Sequence, residues 1–474
     1  MGVGVSDWRL ARAVARLGHL GVVSGTGLDT LFVRRLQDGD PGGHLRRAIA
    51  RFPLWQVGSE VLTRYFRPEG RPPGTPYKAL AMYERTVSRM RQQVTVLANF
   101  VEVFLAREGH EGPIGINLLT KIQLPNLASL YGAMLAGVDY VLMGAGIPRD
   151  IPGALDVLAG HGAVSHKLEL EGESRDSVAV TFEPEQLDFG GLPALRRPRF
   201  LPIIASNSLA TMLARRANGR IDGFVIEGPT AGGHNAPPRG EKRYNRRGEP
   251  LYGERDVVAL ERIAELGLPF WLAGGHGSPE GLVAAQAAGA AGVQVGSLFA
   301  FCDESGLAES LKRRALGAAH RGETEVVTDD RASPTGFPFK VVQLAGTLSE
   351  EASYTARRRT CDLGYLRVAY RTPEQAIGYR CAAEPVEKFV AKGGDLAETA
   401  GRKCLCNALL ASVGHGQERP AGKAELPLLT SGDQLARLPR HLLERGSYSA
   451  AEVVEFLLSA VTRDACAPLE TVLS

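Results

Sequence analysis

A rhythm restricts this chain's fold more than any single residue does. Short apolar runs recur, each closing on glycine or a small polar residue and each followed by an amphipathic stretch. They lie at Gly2–Val5, Gly21–Gly25, Ile114–Leu119, Tyr140–Gly146, Phe200–Ser206, Gly223–Gly228, Phe270–Gly275 and Gly292–Ser297. Apolar runs without polar alternation are typical of strands buried on both faces. The segments between them have helical periodicity, and "SPEGLVAAQAAGA" opens with a serine N-cap (Ser278) and a proline (Pro279) in the first turn. Eight strands alternating with helices predict an α/β fold, the parallel (β/α)8 TIM barrel.

The 474 residues exceed what one such barrel needs. The barrel is expected over residues 1–300, with insertions at about 26–112, 167–198 and 235–257. Residues 301–474, where the rhythm stops, are expected to form a mainly helical C-terminal region. The first insertion predicts a long helix over Tyr77–Gly109, and the second predicts a surface hairpin.

Composition removes several function classes. A net charge of +3 with both signs interspersed gives no nucleic-acid footprint. No apolar run approaches the roughly 20 residues of a membrane span, and the N-terminus lacks the apolar core of a signal peptide. Six cysteines in so long a chain do not make a disulfide framework, which predicts a cytoplasmic protein.

The candidate chemistry lies where strands of such a barrel end. His234 follows "EGPTAGG" directly, just past an apolar strand. Two strands end in "AGGHG" and "VGS", so Gly274, Gly275, Gly296 and Ser297 can turn backbone N–H groups and a hydroxyl toward a phosphate. Tight strand–helix turns want glycine too, and that reading stays open. Arg239, Lys242, Arg243, Arg246 and Arg247 follow His234 and suit either phosphate contacts or a solvated loop. His166 suits either the pocket lining or a hydrogen-bonded barrel histidine, and His276 either a phosphate contact or an exposed turn residue. No histidine–carboxylate spacing suggests a catalytic metal, and no dinucleotide fingerprint is present.

"GINLL", "EGPTAGGHNA" and "FWLAGGHGSPEGLVAAQAAGAAGVQVGSLFAFCDESG", in that order, resemble the nitronate monooxygenase (2-nitropropane dioxygenase) family. That family includes FMN-dependent enoyl reductases of fatty-acid and polyketide synthesis. The resemblance implies an FMN flavoprotein with the phosphate at Gly274, Gly275, Gly296 and Ser297. It puts Asn117 near the flavin ring, the Gly232–Gly233 turn against it, and His234 in the catalytic position. Ser206 and Glu227 match flavin-side strand ends, and Gly2 and Val3 would touch the flavin as well. Thr230 and His276 stand where the family usually has glutamate and a branched aliphatic residue. The family's first strand normally precedes the position of Met1, so the true start is expected upstream.

Two activities follow from the resemblance: oxidation of alkyl nitronates with dioxygen, or reduction of an enoyl thioester with NAD(P)H as electron donor. The first implies a small-molecule substrate; the second adds an acyl carrier protein as partner. A homodimer is compatible with either. A flavin-binding protein without turnover, or a flavin-free isomerase or lyase holding a sugar phosphate, would use the same glycines. Outside the barrel, Cys361, Cys381, Cys404 and Cys406 fall within one glycine- and arginine-rich segment. They suit either a zinc or iron–sulfur site or a set of buried thiols, because the spacing does not fix whether they meet.

Overall fold

The computed structural model describes residues 2–172, 178–419 and 423–465. Met1, on which the expectation about the start rests, lies outside them, as does part of the predicted hairpin.

Seven parallel strands build the central sheet: β1 (Gly21–Ser24), β2 (Ile114–Leu119), β3 (Tyr140–Gly144), and then, past a surface insertion, four more. The insertion holds β4 (Val164–Leu168), β5 (Leu170–Glu171) and β6 (Val178–Phe182), and the sheet resumes with β7 (Arg199–Ile204), β8 (Phe224–Glu227), β9 (Phe270–Ala273) and β10 (Gly292–Gln294). Their spatial order, β1-β2-β3-β7-β8-β9-β10, is their chain order. The sheet curls as an α/β barrel, and the alternation of side chains across it is clean. Leu142, Leu201 and Val225 cluster on the inner face with Trp271. Their neighbours Val141, Phe200 and Phe224 face the helices in the main core.

Gly2–Val5 is a turn, not the expected first strand. Half of its residues are glycine, and Gly4 sits at φ +63°, a left-handed conformation that no strand uses. The sheet therefore ends at β1 on one side and β10 on the other. A helix from the far end of the chain, Ala450–Ala465, packs against both Trp8–Arg16 and Pro279–Ala287. It fills the helix-ring position between those two open edges.

The first insertion also differs from expectation. Its helix runs only over Arg89–Arg107, where Ser88 caps it by accepting a hydrogen bond from the Arg91 amide at 3.2 Å. Tyr77 to Arg85 is not helical. Tyr77 and Tyr83 are buried there, with hydroxyls bonded to Asp38 (2.6 Å) and Thr95 (2.7 Å). Side-chain bonding of that kind outweighs a modest helical propensity. The predicted hairpin is present as the antiparallel pair β4–β6.

Helices dominate the regular structure after residue 300, with three short antiparallel pairs among them. These are β11 (Val326–Asp329) with β12 (Phe339–Val342), β13 (Val368–Arg371) with β14 (Ile377–Arg380), and β15 (Glu418–Arg419) with β16 (Lys423–Ala424). This part does not stand apart from the barrel. Strand β13 also pairs in parallel with β5, and Phe339 bridges to His234.

Candidate active site

Two adjoining cavities open at the C-terminal ends of the parallel strands. The larger, about 500 Å³, falls within the roughly 300–1,000 Å³ of small-molecule sites. Gly274, Gly275, Gly296 and Ser297 line it, as does His276, and it runs down into the barrel past Leu201 and Trp271. The smaller, about 90 Å³, is lined by Val3, Asn117 and His234 and by apolar residues of the C-terminal part, Phe339, Leu366 and Leu405 among them. Gly2, Glu227, Gly232 and Gly233 border both. Of the residues that the resemblance assigns to the flavin and to catalysis, Ser206 alone is placed elsewhere. It is buried and caps the helix Asn207–Arg216, its hydroxyl accepting from the Leu209 amide at 3.1 Å.

The glycine cradle at the larger cavity is open. A side chain at Gly296 would meet nothing within 4 Å, and its backbone (φ −114°, ψ −54°) is accessible to any residue. Gly274 and Gly275 have φ of +86° and +80°, so their glycines satisfy the turn itself. Gly232 is explained differently from the sequence reading. A Cβ there would lie 2.7 Å from the Gly432 amide nitrogen, so the bare backbone at this point makes room for the chain's own Ser431–Gly432 segment. That segment also ties down the cradle, since the Gly432 amide donates to the Ser297 hydroxyl at 2.9 Å.

His234 is fixed by residues that sequence reasoning missed. Its Nε2 lies 2.7 Å from the Ser333 hydroxyl, and its ring stands edge-to-face against Phe339 at 4.8 Å. The turn carrying it is stitched to the C-terminal part on both sides. The Gly233 amide donates to the Thr430 hydroxyl (3.1 Å), and the Lys340 and Asn235 amides donate to the Gly233 and Pro338 carbonyls (2.9 Å each). Ser333, Phe339 and Thr430 lie about a hundred or two hundred positions downstream, in a region without strand–helix rhythm; only the apolar run "FPFKVV" hinted at a strand there.

Glu227 and His234 carry the site's electrostatics. Burial pushes the Glu227 carboxyl up to about 7 and the His234 imidazole down to about 4. In a dry pocket each group favours its uncharged form. Near neutral pH the imidazole is therefore neutral and the carboxyl poised between its two states, and both line the smaller cavity. Each group can donate or accept a proton without a permanent charge in the cavity.

Glu227 has a consequence for stability. Its folded pKa lies above its ordinary value, so its contribution is complete below the ordinary value of 4.5 and is lost as pH rises to about 7. His234 runs the other way, its contribution present above 6.5 and lost as pH falls toward 4. We expect Glu227→Gln to gain stability relative to the parent protein as pH is raised across the Glu227 window. The gap in Tm should widen by about 1–2 °C, roughly the effect of 1–2 kcal/mol in a protein this large. Melting curves of both proteins across that range check it; a constant gap would mean that Glu227 is already ionised.

The remaining candidates are peripheral. His166 bonds the Gln123 carbonyl at 3.2 Å on the hairpin. In the basic loop, Arg239 donates to the Arg255 carbonyl (2.6 Å) and Arg247 pairs with Glu249 (2.6 Å), while Lys242, Arg243 and Arg246 are exposed. Cys361, Cys381, Cys404 and Cys406 do meet, around one small cavity.

This geometry agrees with the relationships of the sequence. Residues 189–338, which carry β7 to β10, the glycine cradle and His234, match the family model for nitronate monooxygenase. The likeness to that family is carried by this stretch, about a third of the chain. A probable nitronate monooxygenase of Staphylococcus haemolyticus is 33% identical over 111 residues, 23% of this chain and 29% of that protein. The match thus spans under a third of the curated relative's length. Among solved structures, the FabK structure from Thermotoga maritima is 17% identical with a TM-score of 0.45, over 97% of this chain and 90% of that one. A nitroalkane oxidase from Streptomyces ansochromogenes, also 17% identical, has a TM-score of 0.47 over 98% and 96%. Among the described residues of the chain, no helix is long and apolar enough to cross a membrane.

Proposed function

We propose that this chain is an FMN-dependent oxidoreductase that oxidises alkyl nitronates. One observation carries the reading: an open glycine cradle and the half-buried Glu227 and His234 line two adjoining cavities, within the stretch that matches the nitronate monooxygenase model. The space fits the cofactor. Gly296 leaves room for a phosphate, and Gly232, Gly233 and Asn117 line the adjoining space. Gly274, Gly275, Gly296 and Ser297 would hold the phosphate, with Gly232, Gly233 and Asn117 along the ring. When bound, the flavin accepts electrons from the substrate and returns them to dioxygen.

The chain's own residues handle position and protons. A neutral His234, oriented by the Ser333 hydroxyl, can hydrogen-bond a nitronate oxygen or take the proton from the carbon of a nitroalkane. A bound anion would favour its protonated form and so strengthen that contact. Glu227 supplies a second site for a proton on the strand that leads into the turn. Phe339, Leu366 and Leu405 give the space around His234 an apolar wall.

The apolar wall supports a second reading. Leu405, Leu409 and Leu410 continue it, and such a wall suits the acyl chain of an enoyl thioester. NAD(P)H would then be the electron donor, an acyl carrier protein would present the substrate, and His234 would polarise the thioester carbonyl. Anaerobic mixing of the flavin-loaded protein with propyl nitronate, NADH or NADPH separates the two. Bleaching by the nitronate alone supports the first, and bleaching by a nicotinamide with reoxidation by an enoyl thioester supports the second. A flavin that none of them bleaches would overturn both.

A further inference from the structure

The turn after β9 carries a titratable group. His276 follows Gly274 and Gly275 there, and it lines the larger cavity together with Gly296 and Ser297. The resemblance leads one to expect a branched aliphatic side chain at this position, which could offer a ligand neither charge nor a hydrogen bond.

Positive charge is scarce around the cradle. Among the described residues that line the larger cavity there is no lysine and no arginine, and the carboxylic acid among them is Glu227. His19 and His276 are the lining side chains able to become positive. His19 lies with Leu20 and Gly21 at the opposite end, where β1 begins, whereas His276 is on the cradle itself. Lys340, whose amide is bonded to the His234 turn, directs its ammonium to Asp433 at 2.6 Å. A phosphate monoester carries close to two negative charges at neutral pH. Amides and hydroxyls can solvate it, but in a partly dry cavity such a charge is costly unless a cation faces it.

The groups around His276 suit an anion. The Thr230 hydroxyl stands over the same turn, 3.1 Å from where a Cβ on Gly274 or Gly275 would lie. The Ser297 hydroxyl accepts from the Gly432 amide at 2.9 Å and keeps its own proton to give. From the segment after Gly432, the Gln434 side-chain amide donates to the Gly277 carbonyl. Glu280, on the helix that follows the turn, is exposed, and the helix Ala450–Ala465 presents Val454, Leu457 and Leu458 to the cavity. Burial pushes the His276 imidazole down, the Gly281 backbone favours its charged form, and no charged group among the described residues acts on it. Without a ligand it is therefore neutral near pH 7, and no described carboxylate competes with an anion for it.

We propose that His276 is the charge partner of the flavin phosphate and takes up a proton from solvent as the phosphate binds. Resting on the flavin reading above, this role adds a group that selects the phosphorylated cofactor. The imidazolium N–H donates to a phosphate oxygen beside the Thr230 and Ser297 hydroxyls. A bound anion raises the imidazole's pKa above its ligand-free value. The contribution of His276 to affinity is then complete below the ligand-free value and is lost as pH rises through the ligand-bound one. Riboflavin, which has the ring but no phosphate, escapes that dependence.

The test is fluorescence titration of the full chain, stripped of flavin, with FMN and with riboflavin from about pH 6.5 to about 8.5, above the ordinary histidine value. FMN affinity, and its ratio to riboflavin affinity, should fall as pH rises, by up to about tenfold per pH unit for one proton. The phosphate itself ionises more fully over that range, so without His276 the ratio would be flat or rising. His276→Leu should weaken FMN roughly tenfold or more, the scale of a charge-assisted hydrogen bond. It should leave riboflavin unchanged and abolish the fall. A flat or rising ratio in the wild-type protein would overturn the proposal. So would equal losses of both flavins in His276→Leu, the mark of a structural role. Because the wild-type pH series needs no variant, misfolding of His276→Leu does not rescue the idea. Binding of both flavins at an unchanging ratio removes His276 and leaves the flavin reading intact, whereas binding of neither overturns both.

Discussion

His234→Ala is expected to retain its flavin and to lose turnover by roughly 10²-fold or more, the scale of one positioned acid–base group. That loss corresponds to about 2.7 kcal/mol of transition-state stabilisation. Flavin should stay because the phosphate cradle belongs to other strand ends, Gly274–Gly275 and Gly296–Ser297, on the far side of the connected space. Fold should stay because the turn is held by backbone bonds from Asn235 and Lys340 rather than by the imidazole. Ser333→Ala refines the test. Ser333 positions the ring through its 2.7 Å contact and does not line the cavity, so its loss should cost roughly tenfold or less and move the pH profile of kcat/KM. Full turnover by His234→Ala at full flavin content would remove the imidazole from the mechanism.

The sequence reading and the structure agree where burial on both faces dictates composition. Seven of the apolar runs are strands because Val, Ile, Leu and Phe without alternation have no other place in a barrel wall. Gly2–Val5 misled because valines at that spacing resemble a strand, while the intervening glycines supply a turn at lower strain. The Tyr77–Gly109 helix was drawn too long because periodicity does not see the hydrogen bonds of Tyr77 and Tyr83; the cap at Ser88 was the available signal. The barrel half of the site was readable because glycine followed by histidine at a strand end has few uses. Ser333, Phe339 and Thr430 were not, since they reach His234 through tertiary contacts across a region with no periodic pattern. The cysteines lie between these cases. Their number in one short segment was plain, but gaps of twenty or so residues say nothing about convergence, which only tertiary packing around one cavity brings about.

Gly296→Asp should yield a folded protein that purifies without flavin. The substitution is chosen over one at Gly275, whose φ of +80° would strain any side chain and blur the result. At Gly296 the backbone is compatible with aspartate, and the new side chain enters space that no protein atom occupies. That space is where the proposed phosphate sits. A carboxylate there takes its volume and repels its charge, and at about 4 Å two like charges in a partly screened site cost several kcal/mol. A loss of even 4 kcal/mol lowers affinity by roughly a thousandfold, enough to strip a cofactor during purification. Gly296→Ala separates the two effects, since a methyl group crowds the phosphate without opposing its charge and should keep part of the flavin. Both variants should melt close to the apo wild-type protein, because no packed neighbour is disturbed. Flavin-to-protein ratios and apo melting temperatures read the outcome. A yellow Gly296→Asp with full flavin content would move the phosphate away from the β10 turn, and with it the orientation assigned to the whole cofactor.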